Sequence, residues 1–187
     1  MTRTYAFAVS LAVLAAAGLG AASQAPPKEV VAGIANFTPI DKNLALGGLI
    51  TPEGMAELKR RGFKTVINLR KPTEANANVE AEGDAVRAAG MKYINLPFTA
   101  GDPYEVAAPQ VDAFIKAIDD RANWPVFAHS VQSHRPTGLL VIKRALEDGW
   151  TLERAYAAPD TQVLADGSAG SKGMKDFVQK YLQAHGK

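Results

Sequence analysis

The fold is decided by one stretch of the sequence, PVFAHSVQSHRPTG at residues 125–138. A short apolar run is followed by a polar turn that ends in Arg135, and a predicted helix starts at Pro136. Backbone N–H groups in such a loop form an anion-binding concavity, and the dipole of the following helix adds positive charge. The guanidinium of Arg135 can then bind two phosphate oxygens. The stretch predicts a phosphate-binding loop whose candidate ligand-binding residues are His129, Val131, Gln132, Ser133, His134 and Arg135.

Helix and strand patterns alternate on both sides of this loop. Thr51-Pro52 favours a helix start and Gly62 its end, and KTVINL at residues 64–69 is typical of a buried strand. Similar patterns predict strands at 44–46, 91–96 and 125–128, helices at 79–89, 136–146, 151–157 and 174–184, a helical stripe at 111–118, and a long loop at 159–173. The alternation predicts an α/β domain with a central, largely parallel sheet flanked by helices. Ligands bind beyond the carboxyl ends of such strands, where the 129–135 loop lies.

Length and composition limit the function classes. The 187 residues fit one domain, and a net charge of +2 gives no argument for a nucleic-acid partner. The sequence contains no cysteine, which excludes disulfides, thiolate chemistry and cysteine-ligated metal sites. The three histidines are too dispersed to indicate a metal site, so no metal and no cofactor is predicted.

The N-terminal residues have the pattern of a secretory signal peptide. Arg3 precedes an apolar run over residues 5–19, and small residues follow up to Ala25. The run is shorter than the roughly 20 residues of a membrane span. We expect a signal peptide over residues 1–25, a polar lead-in over 26–43 and one folded domain over 44–187. The protein would then be exported, periplasmic or secreted, with no membrane span after cleavage; a retained membrane anchor is the competing interpretation.

Several motifs, taken in order, resemble the bacterial beta-lactamase-hydrolase-like phosphatase family, a branch of the cysteine-dependent tyrosine and dual-specificity phosphatases. The matching stretches are Gly47-Gly48, TPE at 51–53, KTVINLR at 64–70, His129-Ser130 with four residues before Arg135, and LEDGWTLERA at 146–155. The similarity covers roughly residues 44–158. It implies a dual-specificity-phosphatase-like fold and, as partner, a phosphorylated small molecule or a phosphoprotein.

Ser130 is the main departure from the family pattern. In the family this position is the cysteine that attacks phosphorus. Loop N–H groups and an arginine readily lower the pKa of a thiol, so that it is a thiolate at neutral pH. A serine hydroxyl stays protonated in the same surroundings and needs an adjacent base. The resemblance therefore implies that turnover is lost or very weak while phosphate binding is kept. A natural pseudo-phosphatase and an engineered Cys→Ser substrate trap both fit.

Other interpretations of the loop remain open. His134 could act as a base for Ser130 or Ser133, although no acidic residue within the loop would orient its imidazole. His129 could be the nucleophile, or it could only brace the loop through backbone hydrogen bonds. The chain could also be an interaction module that neither binds nor cleaves phosphate.

Two residues outside the loop complete the candidate site. The resemblance implies that Asp102 is the general acid that protonates the leaving oxygen, while Gly-Asp-Pro is also good turn chemistry. Arg70 ends a predicted central strand at the ligand-binding edge. It could bind the anion, or it could pair with Glu74 or Glu53.

Overall fold

The computed structural model describes residues 29–187, which form one sheet flanked by helices. The strands are β1 (Thr38–Pro39), β2 (Leu44–Gly47), β3 (Thr65–Asn68), β4 (Lys92–Asn95) and β5 (Val126–His129). The helices are α1 (Pro52–Arg60), α2 (Val79–Ala88), α3 (Tyr104–Asp119), α4 (His134–Leu146), α5 (Leu152–Ala157) and α6 (Ala169–Ala184), with 3₁₀ turns at Arg121–Asn123 and Pro159–Ala165. The predicted signal peptide lies outside the described residues. None of the helices within 29–187 has the length and apolarity that a membrane crossing requires.

The sheet has the strand order β1-β2-β5-β3-β4. Neighbours among β2, β5, β3 and β4 are parallel, and only the short edge strand β1 is antiparallel to its neighbour. The predicted α/β fold with a largely parallel sheet is thereby confirmed. Because β5 lies between β2 and β3, the loop that follows His129 emerges from the middle of the sheet edge.

Side chains of the central strands alternate between two hydrophobic cores. Val126 and Ala128 of β5 belong to a core shared with α3, α4 and α6, while Phe127 belongs to a second core that includes Leu58 of α1 and Val86 of α2. This alternation follows from the two-residue repeat of a strand. A strand buried on both faces needs apolar residues at nearly every position, which explains the apolar run in the sequence.

The segment before β2 differs from the polar lead-in that the sequence suggests. Val31, Ile34 and Phe37 are buried, and the ring of Phe37 stacks on Phe127 with centroids 6.0 Å apart. Thr38 and Pro39 then pair with β2. These apolar contacts cover one face of the sheet, so residues 31–39 are part of the packed domain.

The long loop predicted at residues 159–173 was wrong. A 3₁₀ turn occupies Pro159–Ala165, and α6 begins at Ala169, with the Ser168 hydroxyl accepting a hydrogen bond from Ser171 N at 3.1 Å. The start of α6 packs closely on α4, because a Cβ atom at Gly138 would lie only 2.5 Å from Met174. Local composition favoured a loop, but helix packing decided the structure.

Candidate phosphate-binding site

The backbone of the loop between β5 and α4 is the first feature of the candidate site. Ser133 has a φ of +75°, an uncommon left-handed conformation for a residue other than glycine, and it turns the chain into α4. Within the described part of the chain, the backbone N–H groups from Val131 to Arg135 form no hydrogen bonds. These free donors coincide with the N-terminus of α4, whose first N–H groups have no partner inside the helix. Together they form the concavity that an anion requires.

The turn after β2 supports this loop. Ser130 N donates to Gly47 O at 3.3 Å, and Leu49 N donates to Val131 O at 3.0 Å. A Cβ atom at Gly48 would lie 2.7 Å from the carbonyl oxygen of Val131, so a side chain there would push the loop away. Close approach to the loop therefore explains Gly48, whereas at Gly47 a Cβ atom would lie 2.6 Å from the ring of Phe127.

Arg135 is anchored from three directions. Its Nη1 donates to Leu69 O at 2.6 Å and to Phe98 O at 2.9 Å, and Nη1 and Nη2 donate to the two carboxylate oxygens of Glu74 at 2.7 and 2.8 Å. Arg135 Nε forms no hydrogen bond to residues 29–187. Since a guanidinium carries five N–H donors, Nε and one N–H of Nη2 are left for a ligand.

Glu74 shares the cavity wall with Arg135. Burial raises the pKa of its carboxyl, but the hydrogen bonds from Arg135 and from Lys71 N together lower it by more than burial raises it. The pKa therefore lies below its ordinary value. Arg70 is 4 % exposed and donates to the carbonyls of Ala75 and Asn76 at 2.8 and 3.1 Å, with its Nε 3.5 Å from Glu74. Arg70 lies outside the cavity wall and holds the turn that carries Glu74.

The loop faces a cavity of about 530 Å³. Its wall consists of Glu74, Thr99, Ala100, Ser130, Val131, Gln132, His134, Arg135, Ser168, Ala169, Gly170 and Met174. Ser130 is 2 % exposed, and its hydroxyl forms no hydrogen bond to any described residue. Of the predicted loop residues, His129 and Ser133 lie outside the wall, and the Ser133 hydroxyl is 3.3 Å from that of Thr137.

His129 lies behind the loop, fully buried. Its Nε2 is 2.8 Å from Glu82 Oε1, which also accepts a hydrogen bond from Asn68 Nδ2, and its ring stacks on Phe127. Nδ1 has no partner within residues 29–187. The histidine is thus braced by a carboxylate of α2 and not by the loop backbone, a contact that the local sequence did not indicate.

His134 is oriented by an acidic residue from a distant segment. Its Nε2 lies 2.8 Å from Asp166 Oδ2, and Asp166 also accepts a hydrogen bond from Ser168 N at 2.9 Å. Hydrogen bonds from Ser168, His134 and Ser171 lower the pKa of the Asp166 carboxyl. No hydrogen bond joins His134 to Ser130 in the described chain.

Asp102 is held at the turn after β4. Its carboxylate accepts hydrogen bonds from Thr99 N at 2.7 Å and Thr99 Oγ1 at 3.2 Å and forms an ion pair with Lys71. Burial raises the pKa of Asp102, but these contacts together lower it by more than burial raises it, so the pKa lies below its ordinary value. The side chain lies outside the cavity wall, so its role as an acid stays a prediction. Within residues 29–187 no cluster of His, Asp or Glu is arranged to hold a metal ion.

A comparison with protein families agrees with this geometry. The model described as "DSP-PTPase phosphatase fused to NAD+ Kinase" matches residues 32–174. The chain belongs to this family. The chain is also similar to a curated protein named "Probable NAD kinase 2, chloroplastic" from Oryza sativa subsp. japonica, with 30 % identity over 96 residues. The match covers 51 % of this chain and only 10 % of that much longer protein.

Solved structures show that the family fold is that of dual-specificity and tyrosine phosphatases. TpbA of P. aeruginosa has a TM-score of 0.64 and 18 % identity, covering 84 % of this chain and 91 % of its own. The core catalytic domain of the PP-IP phosphatase SIW14 from S. cerevisiae has a TM-score of 0.61 and 16 % identity, covering 84 % and 88 %. The predicted phosphatase-like fold is thereby confirmed.

Proposed function

We propose that this chain is a phosphatase-fold protein that binds a phosphorylated or other anionic ligand in the 129–135 loop and turns it over weakly or not at all. The observation that carries the proposal is the run of N–H groups from Val131 to Arg135 that have no partner among residues 29–187, beside a guanidinium with two N–H donors unused by those residues. Such donors are costly to leave unpaired unless water or a ligand meets them. Family membership supports phosphatase chemistry at this loop.

Weak turnover follows from Ser130. It occupies the position of the nucleophilic cysteine in the phosphatases that the loop resembles, and no base is hydrogen-bonded to its hydroxyl among the described residues. A protonated hydroxyl in this position should cost several orders of magnitude in rate, each about 1.4 kcal/mol of barrier. The ligand would be a phosphorylated small molecule or a phosphoprotein. The pattern of residues 1–25 supports export to the periplasm or beyond.

The decisive experiment is the turnover of an aryl phosphate by Ser130→Cys. We expect a rise of several orders of magnitude, because the loop that would activate the thiol is already formed. Ser133→Cys is the matched control, since it places a thiol in the same loop outside the cavity wall, and it should stay inactive. The proposal is wrong if the natural chain turns over at roughly 1 s⁻¹ or faster and Ser130→Ala abolishes that rate.

A second candidate function is favoured by the contact between His134 and Asp166. A histidine oriented by a carboxylate is the usual base for a serine nucleophile, and an acid within the loop is therefore not needed. In this alternative the ring would turn toward Ser130, and the chain would be an active phosphoester hydrolase. Fast natural turnover that is lost in Ser130→Ala, His134→Ala and Asp166→Asn would establish it. If calorimetry detected no binding of phosphate or vanadate, the remaining interpretation would be an interaction module that neither binds nor cleaves phosphate.

A further inference from the structure

The wall opposite the 129–135 loop has a chemistry of its own. It is built by Thr99 and Ala100 after β4 and by Ser168, Ala169, Gly170 and Met174 at the start of α6. None of these side chains carries a charge or an aromatic ring. If a phosphate occupies the loop, this wall faces the group that the phosphate esterifies. We call it the carrier wall.

The charges around the cavity suit a single phosphate. Arg135 is the one arginine or lysine in the described wall, and the carboxylate of Glu74 balances its charge at 2.7 and 2.8 Å. Asp166 stands behind His134 near the carrier wall as an ionised carboxylate. Lys71 lies behind Thr99 but is paired with Asp102. A second phosphate on the carrier would therefore meet no lysine and no second arginine in the described wall and would be repelled by Asp166.

The carrier wall offers two hydroxyl oxygens that can accept hydrogen bonds from a ligand. The Ser168 hydroxyl accepts from Ser171 N at 3.1 Å and donates to the carboxylate of Asp166, so one of its lone pairs remains free. The Thr99 hydroxyl donates to Asp102 at 3.2 Å, so its lone pairs remain free to accept. Hydroxyl groups of a ligand can donate to both oxygens. The volume of about 530 Å³ also falls in the range of small-molecule sites, well beyond the size of orthophosphate.

We infer that the ligand is the phosphate monoester of an uncharged, hydroxylated carrier, such as a sugar or polyol monophosphate. This inference rests on the proposed function, since it assumes that a phosphate occupies the loop. On the carrier wall a second phosphate finds no counter-charge, and an aromatic carrier finds no ring on which to stack.

Calorimetry on the natural chain separates the inference from the proposed function. The probes are orthophosphate, glucose 6-phosphate, phenyl phosphate and fructose 1,6-bisphosphate. We expect glucose 6-phosphate to bind about tenfold or more tightly than orthophosphate and phenyl phosphate, and the bisphosphate to bind no more tightly than glucose 6-phosphate. Tighter binding of the bisphosphate or of phenyl phosphate would overturn the inference and leave the proposed function intact. If none of the probes bound, the proposed function itself would fail.

Two variants test the carrier wall directly. Thr99→Val keeps the shape and removes the hydroxyl, so glucose 6-phosphate should bind roughly two- to tenfold more weakly with orthophosphate unchanged. Ala169→Lys adds a cation at the wall and should raise the affinity for the bisphosphate relative to glucose 6-phosphate. Gln179→Lys places the same charge on an exposed site further along α6. It should change neither the affinity for glucose 6-phosphate relative to orthophosphate nor the affinity for the bisphosphate relative to glucose 6-phosphate. If both wall variants bind all probes as the natural chain does, the carrier lies elsewhere and the inference is wrong.

Discussion

The two ends of α4 each carry an arginine bound to a carboxylate. The two pairs differ in their exposure and in whether unpaired N–H groups lie beside them. At the start of the helix, Arg135 meets Glu74 at 2.7 and 2.8 Å, with side chains 13 % and 21 % exposed. Near its end, Arg144 meets Asp160 at 2.8 and 2.6 Å, with side chains 9 % and 3 % exposed. The distances are alike, but only the first pair borders a cavity that faces free N–H groups.

The comparison shows that an ion pair alone does not identify a binding arginine. The guanidinium of Arg144 lies over the ring of Trp150 at 4.6 Å, and although Arg144 lines a second cavity, both members of its pair are almost fully buried. Arg135 is fixed instead by the carbonyls of Leu69 and Phe98, which orient the guanidinium without using Nε. We therefore expect the Arg144 pair to determine stability and the Arg135 pair to determine affinity.

Removal of Asp160 should have the larger effect on stability. Asp160→Ala leaves Arg144 buried without its partner, and the loss of one partner of a buried pair costs about 3–5 kcal/mol. The free energy of unfolding, measured in urea, should fall by that amount. Asp148→Ala is the control, because Asp148 contacts Lys143 at 3.5 Å with 44 % of its side chain exposed, and it should change stability by less than about 1 kcal/mol. Equal effects of the two variants would contradict the distinction between the pairs.

Removal of the Arg135 guanidinium should act mainly on ligand affinity. Hydrogen bonds to charged groups contribute about 1.5–3 kcal/mol, so Arg135→Ala should weaken phosphate binding by roughly 10- to 150-fold. Its unfolding free energy should fall less than that of Asp160→Ala, because Glu74 remains partly exposed to water. Calorimetry with phosphate or vanadate gives the affinity. Unchanged binding would remove Arg135 from the site.

The smallest expected effect is on the pH dependence of stability. The pKa of Glu74 is lowered in the folded chain, so its carboxylate stabilises the fold above the unfolded-state pKa of about 4.3, and this contribution is lost as the pH falls through the folded-state pKa. The difference in unfolding free energy between the natural chain and Glu74→Gln should therefore be constant near neutral pH and shrink below about pH 4. When both chains also carry Arg135→Ala, the pH dependence of this difference should be weaker. A difference that grows on acidification would contradict this assignment.

The loop could be located from the sequence because a strand, a turn and a helix start are encoded by consecutive residues. Helix starts such as Thr51-Pro52 were also predictable, and the Thr51 hydroxyl accepts a hydrogen bond from Gly54 N at 3.3 Å. The start of α6 was missed, because the residues from Gly167 to Gly173 favour a loop by composition. Besides the cap by the Ser168 hydroxyl, packing on α4 holds the helix, and local sequence does not encode such a contact.

The partners of the loop side chains were beyond sequence reasoning. Glu74, Glu82 and Asp166 are separated from Arg135, His129 and His134 by 61, 47 and 32 residues. The chain has 19 acidic residues, and nothing local distinguishes these three from the rest. The sequence indicates Glu74 only as a possible partner of Arg70, and the fold brings it to Arg135 as well.

The rings of Phe37, Phe127 and His129 form a nearly parallel column, with centroids 6.0 and 5.7 Å apart and interplanar angles of 12° and 10°. The column runs from the segment before β1 to the residue that precedes Ser130. A chain truncated at Leu44 would lose its first ring and uncover the second. The smallest unit able to hold the loop therefore begins upstream of Phe37, and shorter versions should be poor subjects for any binding assay.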